Sequence, residues 1–102
     1  MMLLTKENRA KLPALYAEEG TPIDDKMVWV KFFDPCGSWT WYATEFDGED
    51  TFFGYVDGDF PEWGYFSLSE LKSVKGLFGL GIERDMHFKP KRFGDINLKT
   101  RQ

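Results

Sequence analysis

Short segments in which apolar residues recur at every second position dominate the middle of the chain. In residues 27–33, Val28, Val30 and Phe32 follow this period, which is that of a β-strand with one buried face. Four further segments predict strands: 38–46, 51–56, 63–66 and 82–88. Turns rich in Gly, Pro and Asp separate the first four of the five predicted strands. Because these turns are short, the pattern predicts an antiparallel meander.

Two helical patterns flank the predicted sheet. Thr5 is a good N-cap residue, and it predicts one or two helical turns from Lys6 to Lys11. Pro13 interrupts this helix and can begin a second helical segment, which Gly20 would end. A capping-box pattern at Ser67–Glu70 predicts a helix between the fourth and fifth strands. The fold class is therefore α+β, with a twisted four- or five-stranded antiparallel sheet and helices over one face.

The length of 102 residues suits a single domain. We assign residues 1–90 to one α+β domain and residues 91–102 to a polar, basic tail, which we expect to fray. Aromatic residues make up 18% of the chain, and each ring buries about 150–250 Å² when enclosed. So small a domain has difficulty enclosing them all. We therefore expect some aromatic rings at a rim or groove, under a partner, or covered in a homodimer.

The net charge of −4 disfavours direct binding to nucleic-acid phosphates and to anionic membranes. The longest uncharged run, residues 35–44, is about half of the ~20 residues that a membrane-spanning helix needs. A single cysteine, Cys36, excludes an internal disulfide and fits a reducing compartment. The N-terminus also lacks the pattern of a secretory signal. We expect a cytoplasmic protein that does not associate with membranes.

Seven carboxylates and no basic residue lie between positions 45 and 62. Five of them fall in the two turns that flank the third predicted strand: Asp47, Glu49, Asp50, Asp57 and Asp59. These acidic turns are candidates for contact with a macromolecular partner, and solvated turn residues are the alternative. Neither turn has the ligand spacing of an EF-hand, so we predict no metal site and no cofactor.

A second candidate site combines aromatic residues with one arginine. Trp39, Trp41 and Glu45 share one face of the second predicted strand, because side chains alternate along a strand. Arg84 lies on the apolar face of the fifth, where an unpaired charge would be costly, and Glu45 is a candidate partner. Such a pocket suits a carboxylate, a base or a partner's side chain. A structural ion pair at the core's edge is the alternative.

Cys36 and His87 are the only cysteine and the only histidine. A cysteine nucleophile needs an adjacent base and a lowered pKa, and no helix N-terminus is predicted behind Cys36. We therefore interpret them as a turn cysteine and a surface histidine, and we name no catalytic residue.

Several segments together resemble a bacterial family called domain of unknown function 2958. They are residues 3–6, 12–16, 39–54, 64–71 and 82–85, with sequences such as WTWYATEFDGEDTFFG and GYFSLSEL. The resemblance covers about residues 3–90. It implies a short stand-alone protein of a kind often carried on mobile elements, and it implies no activity and no catalytic residues.

We therefore expect a non-catalytic binding or accessory protein that contacts a macromolecular partner through exposed aromatics and acidic turns. The alternative is a small-molecule binding protein or minor enzyme that uses the face formed by Trp39, Trp41, Glu45 and Arg84. Direct nucleic-acid binding ranks last, because acidic rather than basic residues neighbour the aromatics.

Overall fold

The computed structural model describes residues 2–76 and 79–98. The elements in chain order are α1 (Lys6–Lys11), a 3₁₀ turn (Ile23–Asp25), β1 (Met27–Val28), β2 (Val30–Phe33), β3 (Thr40–Phe46), β4 (Thr51–Asp57), β5 (Glu62–Ser67), α2 (Leu68–Ser73), β6 (Glu83–Arg84), β7 (Lys91–Arg92) and a second 3₁₀ turn (Phe93–Asp95). Five strands form an antiparallel sheet in the order β5-β4-β3-β2-β6, and β1 pairs with β7 in a separate two-stranded sheet. The α+β class is confirmed.

The meander is confirmed from β2 to β5, and β6 lies beside β2 at the far edge. The predicted strand 82–88 is shorter than expected and pairs only at Glu83 and Arg84. The chain turns after Arg84 because the backbone N–H of His87 donates to the Asp85 carboxylate at 2.9 Å. The predicted strand 27–33 is likewise divided at Trp29 between the two sheets.

Both predicted helix caps are present. The Asn8 backbone N–H donates to the Thr5 hydroxyl at 3.0 Å, and the Glu70 N–H donates to the Ser67 hydroxyl at 3.1 Å. The predicted helix from Pro13 to Gly20 is wrong, because this segment forms successive turns. Among the described residues, no helix combines the length and the apolar character needed to cross a bilayer.

The first face of the sheet carries the larger core. Phe52 is fully buried at its centre, and its ring stacks on Phe46 at 4.5 Å and on Phe66 at 5.1 Å between ring centroids. The N-terminal segment, α2 and one residue before β6 cover this face with five leucines and an isoleucine: Leu3, Leu4, Leu12, Leu68, Leu71 and Ile82. The prediction of helices over one face therefore identifies part of this cover.

The C-terminal segment covers the second face. Phe93, Ile96 and Leu98 are buried against Val28 and Tyr42. The prediction of a frayed tail is wrong for this segment, because burial of three large apolar side chains holds it on the sheet. The remaining four residues of the predicted tail, 99–102, lie outside the described part of the chain.

Tyr42 makes the stability of this second core sensitive to alkaline pH. Burial, followed by the nearby carboxylates of Asp57 and Asp85, raises the pKa of Tyr42 to about 12. The folded state holds the Tyr42 hydroxyl proton more tightly than the unfolded state. The contribution of this proton to the free energy of unfolding is therefore full below pH ~10 and is lost towards pH ~12. Because solvent screening reduces the effect, we expect the free energy of unfolding to fall by about 1–2 kcal/mol over this range.

Urea unfolding at pH ~9 and pH ~11.5 measures this effect. The decline in unfolding free energy over that range should be smaller in Tyr42→Phe than in the wild type. Equal declines would show that Tyr42 does not contribute to it.

Candidate functional site

The predicted pocket of aromatic residues and one arginine does not form, because a β-bulge interrupts β3. Trp41 aligns with Phe32 of β2 and Val56 of β4, and it belongs to the first face. The pairing register shifts between Ala43 and Glu45, and Glu45 aligns with Phe53. One extra residue in a strand reverses the alternation of all later side chains. Trp41 and Glu45 therefore lie on opposite faces of the sheet.

Arg84 and Trp39 are also separated from Glu45. The Arg84 guanidinium donates to the backbone carbonyl of Met2, so its observed role is to hold the N-terminal segment. Trp41 is core, with 9% of its surface exposed, whereas Trp39 lies just before β3 at one end of the sheet. The rings of Trp39 and Trp41 contact each other, with 5.9 Å between their centroids. Glu45 lies on the opposite face of the sheet, so the four residues do not form one site and the predicted Glu45–Arg84 pair is wrong.

Glu45 instead organises the turns that precede β1. Its carboxylate, only 4% exposed, accepts hydrogen bonds from the backbone N–H groups of Tyr16 at 3.0 Å and Glu18 at 2.9 Å. Tyr16 has φ = 70°, a left-handed conformation that side-chain-bearing residues rarely adopt. A helix over this segment would require those N–H groups for its own hydrogen bonds. The buried carboxylate thus explains why the predicted helix is absent.

A recess of about 260 Å³, which we call the Glu45 pocket, opens beside these turns. Its lining consists of Tyr16, Glu19, Lys26, Glu45, Phe53 and Tyr65. The pKa of Tyr65 is raised, first by a hydrogen bond between its side chain and that of Tyr16. Desolvation and the negative charges of Glu45 and Glu19 also raise this pKa. Lys26 is buried, and its ammonium donates to the Glu18 carbonyl. The pocket therefore combines aromatic walls with buried charged groups.

Sequence patterns did not identify Tyr16, Lys26 or Tyr65 as neighbours of Glu45. Tyr16 and Lys26 reach the pocket through turns whose path depends on a hydrogen bond to a strand distant in sequence. The available signal was a glutamate inside a strand that is otherwise strongly apolar, because such a carboxylate needs partners.

The acidic turns divide into structural and available carboxylates. One Asp47 oxygen accepts the backbone N–H groups of Glu49, Asp50 and Thr51 at 2.8–3.0 Å, and these bonds hold the pKa of Asp47 below its ordinary value. Asp50 binds the first turn of α2, where its carboxylate accepts from the Ser69 N–H at 2.8 Å and the Ser69 hydroxyl at 2.7 Å. Asp47 and Asp50 therefore shape the fold.

The other three candidate carboxylates differ in exposure. Glu49 and Asp59 are exposed, whereas Asp57 is buried at the end of β4. The two turns lie at opposite ends of β4, as predicted. Within residues 2–76 and 79–98, no three His, Cys, Asp or Glu side chains gather in a way that would hold a metal ion.

Alanine variants distinguish these two classes of carboxylate. We expect Asp50→Ala to lower the unfolding free energy by about 1 kcal/mol, because it removes a cap from α2. Glu49→Ala, one residue away, should change it by less than about 0.5 kcal/mol. Chemical denaturation of both variants checks this, and a loss as large in Glu49→Ala would contradict the assignment.

The exposed aromatics concentrate partly at one end of the sheet. Phe60 is 86% exposed in the loop between β4 and β5, and Trp39, just before β3, is 38% exposed. Gly58 lies so close to the indole of Trp39 that a Cβ atom there would be 2.7 Å from the ring. The loop and the indole therefore pack together. We call Trp39, Gly58, Asp59 and Phe60 the aromatic end.

Cys36 and His87 are both exposed, as interpreted from the sequence. Cys36 lies in a turn in which its backbone N–H donates to the Asp34 carboxylate at 2.9 Å.

Comparison with protein families places these features in a wider group. A family model described as "Protein of unknown function (DUF2958)" matches residues 3–96. The chain belongs to this family. The DUF2958 match extends beyond residue 90 and includes Phe93 and Ile96, in agreement with their burial in the second core. Neither the curated proteins nor the solved structures contain a significant match.

Proposed function

We propose that this DUF2958 protein is a non-catalytic binding or accessory protein whose aromatic end contacts a partner protein. The observation that supports this most is the 86% exposure of Phe60, in the same loop as Gly58, against which the Trp39 indole packs. Large aromatic side chains are prominent among residues that contribute most to protein interfaces. The Trp39 indole, which packs against Gly58, also loses little conformational entropy on binding.

Burial of the Phe60 ring by a partner would contribute a large binding free energy. A phenyl ring buries about 150–250 Å², which at about 25 cal/mol per Å² corresponds to about 4–6 kcal/mol before the costs of association. In the free protein most of this area of Phe60 contacts water. A partner with a matching apolar pocket would therefore gain much of its affinity from one side chain.

Charge around the aromatic end indicates the character of that partner. Asp59 and Glu62 flank Phe60 and are exposed, and the whole chain carries a net charge of −4. A surface with basic residues around an apolar pocket would be attracted to it, and salt would slow this association. Asp47 and Asp50 are not part of this proposal, because the fold uses their carboxylates.

Affinity capture with matched variants tests the proposal. Wild type, Phe60→Ala and Ile23→Ala would be used to capture proteins from the native host's lysate, with Asp59→Asn as a charge variant. Ile23 is 52% exposed and lies outside the aromatic end, so it controls for general hydrophobic capture. We expect one protein to bind wild type and Ile23→Ala but not Phe60→Ala, and to bind Asp59→Asn more weakly at low salt. Equal capture by all variants would contradict the proposal.

We infer further that the protein acts in the bacterial cytoplasm in connection with mobile elements. The single cysteine and the resemblance noted above support this inference. Fractionation of the native host tests the compartment, and recovery of the protein in the periplasm or in the membrane would contradict it.

A second candidate function is the binding of a small cation in the Glu45 pocket. Its supporting observation is that two carboxylates, Glu45 and Glu19, line a pocket with aromatic walls that holds one ammonium, that of Lys26. Such walls also attract cations. An NMR titration with butylamine, and with butyrate as a matched control, tests this. Shifts at Tyr16 and Tyr65 with the amine alone would support it, and equal shifts or none would exclude it.

A further inference from the structure

The outer side of β5 is an open strand edge. In the sheet order, β5 is terminal and has β4 as its sole neighbour among the described residues. The two strands pair without a break over six residue pairs, from Thr51–Ser67 to Val56–Glu62. Backbone donors and acceptors on the other side of β5 therefore face away from the sheet.

The alternation of hydrogen bonds identifies which groups face outward. The Leu68 N–H donates to the Asp50 carbonyl at 2.8 Å, at the end of the β4–β5 ladder. In an antiparallel pair, bonding to one neighbour alternates along the strand. Phe66 and Gly64 therefore bond to β4, while the N–H and C=O groups of Trp63 and Tyr65 point away from it.

The centre of this edge lacks the features that usually prevent strand pairing, although β5 begins with the charged Glu62. Proteins protect open edges with charges, prolines, bulges or very short strands. From Trp63 to Phe66 there is no charge and no proline, and the register has no bulge. The opposite edge strand, β6, has only two residues. The sheet is therefore open for extension at β5.

We propose that β5 pairs antiparallel with β5 of a second copy of this chain, so that the two sheets become continuous across a twofold axis at Gly64. This inference goes beyond the proposed function, since it concerns a different surface and a different partner. In this register Gly64 faces Gly64 of the other copy, at a position where strands approach most closely. Trp63 faces Tyr65, and each such pair exchanges two hydrogen bonds.

The register fits two identical strands in side chains as well as backbone. Aromatic residues face each other across the axis, and such cross-strand pairs stabilise sheets. Glu62 faces Phe66 and not Glu62 of the other copy, so the pairing does not oppose like charges directly. Tyr65, which is 56% exposed in one chain, gains cover. At Gly64 a Cβ atom would meet nothing within 4 Å, so no neighbouring group obstructs the approach.

The net charge of −4 on each copy predicts how the stability of the dimer depends on salt. Like-charged copies repel at long range, and salt screens this repulsion. The dimer should therefore strengthen from low to physiological salt, whereas the partner contact at the aromatic end should weaken. The two associations can thus be told apart in the same series of buffers.

A proline variant tests the strand pairing selectively. Tyr65→Pro removes an outward N–H but no hydrogen bond to β4, and prolines are tolerated on edge strands. Tyr65→Ala removes the same ring and keeps the N–H. Sedimentation over a range of concentrations should show a dimer for wild type, a weaker dimer for Tyr65→Ala, and for Tyr65→Pro an affinity at least tenfold below that of Tyr65→Ala. Equal dimerisation of the two variants would overturn the proposal, as would a wild type that stays monomeric.

Two further measurements keep the test independent of how the proline variant folds. In the wild type, the amide hydrogens of Trp63 and Tyr65 should exchange more slowly as concentration rises. Protection that does not depend on concentration would mean that another segment of the same chain covers the edge, and it would overturn the proposal. In a Cys36→Ser background, Gly64→Cys should form an intermolecular disulfide readily and Met86→Cys should not. Equal cross-linking would also overturn it.

Discussion

Replacement of Gly54 by alanine should lower the free energy of unfolding by about 4 kcal/mol or more, a large part of the stability of a small domain. A Cβ atom at this position would overlap the backbone carbonyl oxygen of Tyr42 and lie 2.9 Å from its carbonyl carbon and 3.1 Å from the Cα of Ala43. These are backbone atoms of the neighbouring strand, next to the bulge in β3. A rotamer change therefore cannot relieve the overlap, and β3 and β4 would have to separate.

Gly64 provides a matched control. It faces Gly54 across the β4–β5 pair, yet a Cβ atom there meets nothing within 4 Å. We expect Gly64→Ala to change the unfolding free energy by less than about 1 kcal/mol, with a tendency to stabilise because alanine restricts the unfolded chain. Urea unfolding at low protein concentration compares the two variants. A similar cost for both would show that the close approach at Gly54 is not what requires a glycine.

Replacement of Glu45 by alanine should lower the free energy of unfolding by about 3 kcal/mol. The change leaves the partly buried backbone N–H groups of Tyr16 and Glu18 without their acceptor, and a donor buried without a partner costs about 1–3 kcal/mol. The loss should be local as well as global. Amide hydrogens of Tyr16 and Glu18 should exchange faster than in the wild type, because the turns between Pro13 and Thr21 lose their anchor.

Two variants control for this effect. Glu45→Gln keeps one acceptor oxygen, so we expect about half of the loss. Glu19→Ala removes an exposed carboxylate from the same pocket and should cost less than about 0.5 kcal/mol. If Glu45→Ala were as stable as Glu19→Ala, the carboxylate would not hold these turns.

Helices, caps and strands that depend on residues close together in the sequence could be predicted. The helix at Lys6–Lys11, the capped start of α2 and the strands β3, β4 and β5 follow from caps, turns and alternation. Each of these signals acts within a few residues, so the sequence contains the information directly. The antiparallel order of β2 to β5 follows from short turns for the same reason.

The bulge in β3 was not predictable in this way, and the candidate site depended on it. Thr44 is the extra residue, buried to 1% exposure, and its hydroxyl donates to the Phe53 carbonyl at 3.0 Å across the strand pair. Nothing in the alternation of β3 indicates where the register shifts. A strict period of two therefore placed Glu45 with Trp41, on the face opposite to the one it occupies.

The burial of the C-terminal segment does not follow from its charge pattern. Its basic residues suggest a solvated tail, but Phe93, Ile96 and Leu98 recur at intervals of two or three residues. Their burial needs a surface supplied by strands far away in sequence. The second face of the sheet, rich in Tyr and Trp, was the available indication of such a requirement.

The carboxylates that stabilise the fold differ from the residues proposed to contact a partner. Asp47, Asp50 and Glu45 are carboxylates whose hydrogen bonds hold turns and a helix, so they contribute to the fold. Phe60 and Asp59 are exposed, and the proposed contact uses them. A partner surface must therefore be sought at the aromatic end and not across all the acidic turns.

Photo-cross-linking inside the native host tests that claim most directly. A photoreactive phenylalanine analogue would replace Phe60 in one variant and Ile23 in another, and both would be irradiated in living cells. The account predicts a covalent adduct with one other protein from position 60 and none from position 23. No adduct at position 60, the same adducts at both positions, or an adduct only between two copies of this chain would contradict it.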